Sequence, residues 1–297
     1  MVQTVSIEEL EAIVRATHSD PFRVLGPHSV LLEGRPAHVI RAFLPHAEEA
    51  WVVLPASGTV CSMTRLHPEG FFECVADDLD IAGYRVRLRT NQQAVEEFLD
   101  PYAFPPVLTD YDLHLVGEGR HRHLYEKLGA HPWRLNGVDG VLFAVWAPNA
   151  ERVSVVGDFN RWDGRRHAMR VRGPGVWELF VPELPRGALY KYEIKSRHAG
   201  LLPLKTDPFA FHSEVRPRTA SVVCDLARYA WNDQHWLATR QASNLLQQPV
   251  SIYEVHLGSW RRVPEEGNRF LTYRELADTL VPYAHDLGFT HIQLLPV

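Results

Sequence analysis

Hydrophobic and polar residues follow two different patterns along the chain. Near the start, apolar residues recur at helical spacing from Ile7 to Val14, and Ser6 followed by Glu9 has the spacing of a capping box. We therefore expect a helix over residues 6–17. After this segment, short alternating stretches separated by Pro, Gly, Asn and Asp replace the helical spacing, which is typical of antiparallel β-structure.

The clearest alternating stretch is "YRVRLR" at residues 84–89. In a strand, Tyr84, Val86 and Leu88 would lie on one face, and the three arginines between them would lie on the other. One face would therefore be buried and the other solvated, as antiparallel sheets allow. The pattern predicts a strand with one buried and one solvated face.

The alternating region contains an internal repeat. Four segments recur in the same order at offsets between 103 and 107 residues. The pairs are "RAFLPHAEEAWVV" (41–53) with "AVWAPNAERVSVV" (144–156), "PEGFFECVADDL" (68–79) with "GPGVWELFVPEL" (173–184), "YRVRLR" with "YKYEIK" (190–195), and "DPYAF" (100–104) with "DPFAF" (207–211). A fixed period indicates duplicated units, and short strands with turn signals favour sandwiches. We predict two tandem immunoglobulin-like β-sandwich modules and a mainly β fold.

Several residues in these repeats have predictable structural roles. Trp177 alternates with Leu179 in "VWELFV", so we expect its indole in the core. Trp51 begins an apolar run and is also expected in the core. Asp100 and Asp207 each precede a proline, and we predict that both form Asx-turns at the sandwich edge.

The pattern changes again in the last quarter of the chain. Residues 227–249 predict a helical connector, and residues 250–257 form an apolar, β-rich run. A helix with apolar spacing from Leu276 to Tyr283 and a C-cap at Gly288 follows, and then the strand "THIQLLPV". Strand, helix and strand in this order predict a unit of a parallel sheet.

Composition narrows the possible functions. The net charge is −5 and no dense Lys/Arg block occurs, so we expect no nucleic-acid partner. Cys61, Cys74 and Cys224 follow neither a disulfide nor a zinc pattern, which favours a reducing cytoplasm and predicts no metal or cofactor. The start lacks signal-peptide character, and no window approaches about 18 apolar residues, so we expect no membrane association.

Several motifs together resemble the bacterial glycogen branching enzyme family, 1,4-α-glucan branching enzymes of the α-amylase superfamily. The resemblance depends on "GDFNRWDGRRHAMR", "LYKYEIK", "PVSIYEVHLGSWRR" and "YRELADTLVPYAHDLGFTHIQLLPV", while "HSDPFRVLGPH" resembles the extra amino-terminal module of the long form. It implies an amino-terminal sandwich with a leading helix (1–118), a glycogen-binding-type sandwich (119–226), a helical connector (227–249) and the truncated start of a (β/α)₈ barrel (250–297).

The resemblance also implies a reaction. Family members cleave an α-1,4 bond and transfer the segment to a 6-hydroxyl, through an Asp nucleophile and a Glu acid/base on later barrel strands. Residues 250–297 supply only 48 of the roughly 250 residues that such a barrel needs. We therefore expect no catalytic residue within this chain, no activity in isolation, and sandwich modules that pack on a barrel beyond residue 297.

By the same resemblance, the turn "GDFNRWDG" of the second module implies a carbohydrate site. Trp162 would stack on a glucose ring, Lys191 in the "YKYEIK" strand would contact sugar hydroxyls, and Asn160 would join them. Covering an apolar sugar face with an indole could contribute about 1–2 kcal/mol. The alternative is that Trp162 packs against a neighbouring domain. The first module has no such turn, so packing is its expected role.

Two further residues are possible substrate-lining groups. Glu254 and His256 lie near the end of the first predicted barrel strand, where functional residues of such barrels gather. We do not predict that Glu254 is the nucleophile. The expected partner is glycogen or a linear α-1,4-glucan. The alternatives are a non-catalytic carbohydrate-binding or interaction module, and a related debranching or trehalose-releasing enzyme.

Overall fold

The computed structural model describes residues 4–32, 34–76, 81–173, 175–198, 200–242 and 245–297. The chain forms two compact units, Met1–Arg228 and Tyr229–Val297. Residues 77–79 and 174, within the repeated segments, and residues 243–244, within the predicted connector, lie outside the described residues.

The first unit begins with a helix and an antiparallel sandwich. Helix α1 spans Ile7–Val14, and the strands are β1 (Gly26–Leu32), β2 (Arg35–Phe43), β3 (Ala47–Leu54), β4 (Thr59–Ser62), β5 (Thr64–His67), β6 (Phe71–Ala76), β7 (Arg85–Thr90) and β8 (Val95–Leu99). One sheet has the order β1-β2-β6-β5 and the other β4-β3-β7-β8. Short 3₁₀ turns at Pro21–Arg23 and Pro101–Ala103 flank these sheets.

A second sandwich follows helix α2 (Asp110–Gly117) and a 3₁₀ turn at Leu124–Glu126. Its strands are β9 (Gly129–Leu135), β10 (Val138–Trp146), β11 (Ala150–Gly157), β12 (Arg170–Arg172), β13 (Val176–Pro182), β14 (Leu189–Ser196), β15 (Gly200–Leu201) and β16 (Ser221–Val222), with a 3₁₀ turn at Asp158–Asn160. One sheet has the order β12-β13-β10-β9, and in the other β14 pairs with β11, β15 and β16.

The two sandwiches repeat the same strand pairing, which confirms the predicted fold class. Strands β2 and β6 pair in the first sandwich as β10 and β13 do in the second, and β3 and β7 pair as β11 and β14 do. Each sandwich has its own core cluster of buried apolar side chains. Trp177 is 2% exposed within the second cluster, as predicted.

The inward-facing residues of β7 are buried as predicted, but the side chain of Trp51 is not. Tyr84, Val86 and Leu88 are buried in the first core. The prediction for Trp51 was wrong: its side chain is only partly buried, and it lies opposite Arg87 on the face of β3 that points away from the core. The reason is that the residues on either side of Trp51 take the inward positions of this strand.

The Asx-turns are present in both sandwiches. Asp100 Oδ1 accepts a hydrogen bond of 2.9 Å from the Tyr102 backbone N–H, and Asp207 Oδ1 accepts one of 2.8 Å from Phe209. Helix α1 is capped by Ser6 but ends at Val14, before the predicted residue 17. Its end coincides with a left-handed Ala16, with φ of 52°.

The second unit contains short helices and two pairs of strands. Its elements are α3 (Gln234–Ala242), β17 (Ile252–Val255), α4 (Leu257–Trp260), β18 (Arg262–Val263), β19 (Arg269–Phe270), α5 (Tyr273–Asp286) and β20 (His291–Leu294). Strands β17 and β20 pair in parallel, as predicted.

The predicted connector is less helical than expected. Among the described residues of this segment, α3 covers Gln234–Ala242, and 3₁₀ turns occur at Leu226–Arg228 and Leu245–Gln247. Residues of α3 bury no side chain, so packing adds little to its stability. Within the described residues, no helix is both long and apolar enough to cross a membrane.

Candidate functional site

The turn that carries Trp162 begins where β11 ends, at Gly157. After the 3₁₀ turn Asp158–Asn160, both Arg161 and Trp162 have φ of 59°, so two consecutive residues with Cβ atoms adopt the left-handed conformation. This conformation is uncommon for residues other than Gly, Asn and Asp. Contacts with the surrounding residues must therefore stabilise this backbone conformation, because Arg161 and Trp162 do not favour it intrinsically.

Asn160 supplies much of that support. Its Oδ1 accepts a 2.9 Å hydrogen bond from the Gly157 N–H, and its Nδ2 donates to the Val155 carbonyl at 2.9 Å. The Nδ2 group also lies 3.0 Å from His167 Nδ1. Asn160 is 0% exposed, so it is not available for direct sugar contact in this structure. The observed role of this predicted site residue is to hold the turn.

His167 fits this arrangement electrostatically. Burial, followed by the neighbouring Arg166 charge, lowers the pKa of His167 to about 3. The imidazole is therefore neutral near pH 7, and a neutral ring nitrogen can accept a hydrogen bond from the Asn160 amide. No local sequence pattern marks His167, because its link to the turn depends on the folded backbone.

Trp162 is partly buried and its indole orientation is fixed. The indole N–H donates a 2.8 Å hydrogen bond to Asp158 Oδ1, and the Trp162 backbone N–H donates to the Gly157 carbonyl at 2.9 Å. Asp158 itself is exposed. A tethered indole loses little conformational freedom on binding a ligand, which is the arrangement a stacking platform needs.

A buried ion pair lies under the turn. Arg152 and Glu193, on β11 and β14, form an ion pair, and the Arg152 guanidinium also donates to the Gly164 carbonyl at 2.8 Å. A Cβ atom on Gly164 would lie 2.2 Å from Glu193 Oε1. Glycine at this position leaves room for the Glu193 carboxylate and for its pair with Arg152.

Lys191 lies on the strand beside the turn. It pairs with Val156, the residue before Gly157, and its neighbours Tyr190 and Tyr192 point into the core. Lys191 therefore lies on the outer face, where its Nζ donates a 2.7 Å hydrogen bond to the exposed Thr219 Oγ1. The register brings the Lys191 strand and the Trp162 turn to the same end of one sheet.

Glu254 and His256 belong to the second unit. Both are exposed, Glu254 in β17 and His256 just after it. His256 Nδ1 lies 3.1 Å from Ser259 Oγ, and its side chain borders an open cleft of about 470 Å³ whose lining includes Phe270 and Tyr273. In the part of the chain that the structure describes, no group of three or more His, Cys, Asp or Glu could hold a metal ion.

Two family models match parts of this chain. Residues 127–210 match the model of carbohydrate-binding module 48, the isoamylase N-terminal domain. Residues 6–102 match the N-terminal domain of the alpha-1,4-glucan branching enzyme GlgB. The first match contains the whole Trp162 turn and Lys191. This match therefore covers β9 to β15 of the second sandwich.

Several relatives that match nearly the whole chain are 1,4-alpha-glucan branching enzymes named GlgB. The 1,4-alpha-glucan branching enzyme GlgB of Gloeobacter violaceus is 52% identical over 100% of this chain and 40% of that protein. The enzyme of the same name from Rubrobacter xylanophilus is 52% identical over 97% of this chain. The one from Trichormus variabilis is 48% identical over 99% of this chain. The chain matches the amino-terminal part of 1,4-α-glucan branching enzymes, which confirms the resemblance. It spans about two fifths of the length of these curated relatives.

Among solved structures, pullulanase SAP in complex with maltotetraose is 16% identical to this chain. The match covers 87% of this chain and 34% of that one, with a TM-score of 0.42.

Proposed function

We propose that this chain is the glucan-binding region of a 1,4-α-glucan branching enzyme. The whole enzyme would cleave an α-1,4-glucan and transfer the segment to a 6-hydroxyl, which makes an α-1,6 branch. The partner would be glycogen or a linear α-1,4-glucan, and the compartment would be the cytoplasm, where three free cysteines suit reducing conditions.

The observation that carries the proposal is the hydrogen-bonded indole of Trp162, on the turn beside Lys191. The indole N–H bond to Asp158 fixes the ring before any ligand arrives. A pyranose ring has an apolar face that matches a flat indole, and covering both is worth about 1–2 kcal/mol. Lys191 would exchange its bond to Thr219 for a sugar hydroxyl, and Asn160 would hold the turn from inside.

The binding test is the affinity of the chain for glycogen, measured by electrophoresis in gels that contain increasing glycogen. Trp162→Ala should weaken binding about 5- to 30-fold, the equivalent of the stacking free energy. Trp231→Ala is the matched control, because Trp231 is 71% exposed in the second unit and removal of its indole should leave affinity unchanged. Equal affinity of the wild type and Trp162→Ala would reject Trp162 as the platform.

We also propose that the transferase carboxylates lie outside residues 1–297. Glu254 and His256 would line the substrate path, near the end of the first barrel strand. The sandwich modules would pack on the barrel of the whole enzyme. An iodine-stain branching assay on the purified chain should therefore show no conversion of amylose. Measurable branching would contradict this assignment of the catalytic groups.

A further inference from the structure

We infer that the first sandwich positions the Trp162 turn of the second, so that residues of one module tune glucan binding by the other. Both sandwiches lie within one compact unit, Met1–Arg228. The consequence for affinity rests on the proposed function, whereas the consequence for the order of the turn does not. Glu96 and His46 are the positioning residues that we assign.

Polar contacts between the modules flank Trp162 on both sides. Arg161, the residue before Trp162, places its Nη2 atom 2.7 Å from Glu96 Oε1 in β8. Asp163, the residue after it, lies 3.5 Å from His46 Nε2. The two side chains adjacent to the indole thus both reach into the first sandwich.

The end of the turn is anchored to the first module as well. The Arg165 guanidinium lies 5.9 Å from the Phe43 ring centroid and 3.9 Å from Glu69 Oε2. Three residues further on, the Ala168 N–H donates a 3.1 Å hydrogen bond to the Tyr102 hydroxyl. The first module therefore contacts this loop from Arg161 to Ala168.

These contacts explain how the strained backbone persists. Left-handed φ values at Arg161 and Trp162 cost roughly 1–2 kcal/mol each for residues with a Cβ. Asn160 stabilises the turn from its start, and the intermodule contacts stabilise it from Arg161 onward. Without them, the turn could relax, and the indole would lose the fixed orientation that stacking uses.

Another intermodule ion pair provides a control. Arg85 of β7 forms a bidentate pair with Glu183, with distances of 2.8 and 2.7 Å. Glu183 lies after β13, and neither residue belongs to the Trp162 turn. If these pairs acted only through general packing of the modules, removing either one would speed amide exchange in the turn. A specific positioning role predicts that only removal of the Glu96 pair does so.

The experiment compares Glu96→Gln with Glu183→Gln by hydrogen exchange and by glycogen affinity. Glu96→Gln should accelerate amide exchange in residues 157–165 and weaken glycogen binding, each about 2- to 5-fold, the range expected for an exposed ion pair. Glu183→Gln should change neither quantity. The double variant Glu96→Arg with Arg161→Glu should recover protection.

The two readouts separate this inference from the proposed function. Unchanged exchange of residues 157–165 in Glu96→Gln would overturn the positioning role, whatever Trp162→Ala does. Faster exchange together with wild-type affinity for Trp162→Ala would support the positioning role and reject the glucan platform. Equal acceleration in Glu183→Gln would show general loosening of the module interface and would also overturn the inference.

Discussion

The Tyr84 hydroxyl donates a 2.5 Å hydrogen bond to Asp100 Oδ2, and both groups are buried. The second sandwich repeats the pair, with 2.7 Å between the Tyr190 hydroxyl and Asp207 Oδ2. In each module the tyrosine sits in or beside a central strand, and the aspartate begins the turn that leaves the sandwich. The duplication therefore preserves a buried polar pair as well as a strand order.

The first prediction compares the two tyrosines. Tyr84→Phe removes the side-chain donor seen at Asp100, and we expect a loss of about 1–3 kcal/mol in the free energy of unfolding. Tyr190→Phe should cost less, because the Tyr192 hydroxyl also donates to Asp207 Oδ2, at 3.3 Å. Urea denaturation of both variants measures the difference. Equal losses of unfolding free energy in the two variants would show that the Tyr192 hydroxyl does not compensate for the missing Tyr190 donor.

The second prediction concerns Asp100 and pH. Burial raises the pKa of Asp100 to about 6, even though the hydrogen bonds from Tyr84 and Tyr102 act in the opposite direction. The folded state then binds more protons than the unfolded state between about pH 4 and 6, so stability falls as pH rises through this window. Relative to Asp100→Asn, the wild type should lose about 2–3 kcal/mol from pH 4 to pH 7. If the unfolding free energies of the wild type and Asp100→Asn changed equally from pH 4 to pH 7, the raised pKa of Asp100 would be contradicted.

The third prediction concerns His167, whose effect has the opposite sign. Its pKa is about 3 in the folded state because burial disfavours the charged ring. The unfolded chain takes up a proton below about pH 6.5, so the stability that neutral His167 provides is lost as pH falls. Between pH 7.5 and 5, the wild type should lose about 1–2 kcal/mol more than His167→Gln, as measured by urea denaturation. A larger loss in the variant would refute this sign.

The fourth prediction tests the close packing at the start of the turn. A Cβ atom on Gly157 would lie 2.1 Å from the Leu189 carbonyl oxygen and 2.5 Å from the Phe159 ring. Gly157→Ala should therefore destabilise the chain by about 1–3 kcal/mol, as overpacking does elsewhere. Gly173→Ala is the control, because no atom lies within 4 Å of the added methyl. Thermal unfolding of both variants measures the effect, and similar melting temperatures would reject the argument.

Sequence patterns predicted the strands and helices better than they predicted the burial and the contacts of individual side chains. The alternation around Val86 identified a strand and its buried face, because strand geometry makes side-chain direction a local property. Trp51 was misassigned because an apolar run does not specify which of its residues face the core. The burial of Asn160 was not predictable, since it arises only when the turn folds back over β11. The Glu96–Arg161 pair joins residues 65 positions apart, beyond any local pattern.

The most direct test of the central claim, that a glucan stacks on Trp162, is oxidative footprinting of the tryptophans with and without maltoheptaose. We predict that saturating maltoheptaose slows oxidation of Trp162 several-fold and leaves the exposed Trp231 unchanged, while a β-1,4-linked glucan protects neither. Oxidation of Trp162 at the same rate with and without the bound α-glucan would contradict the account.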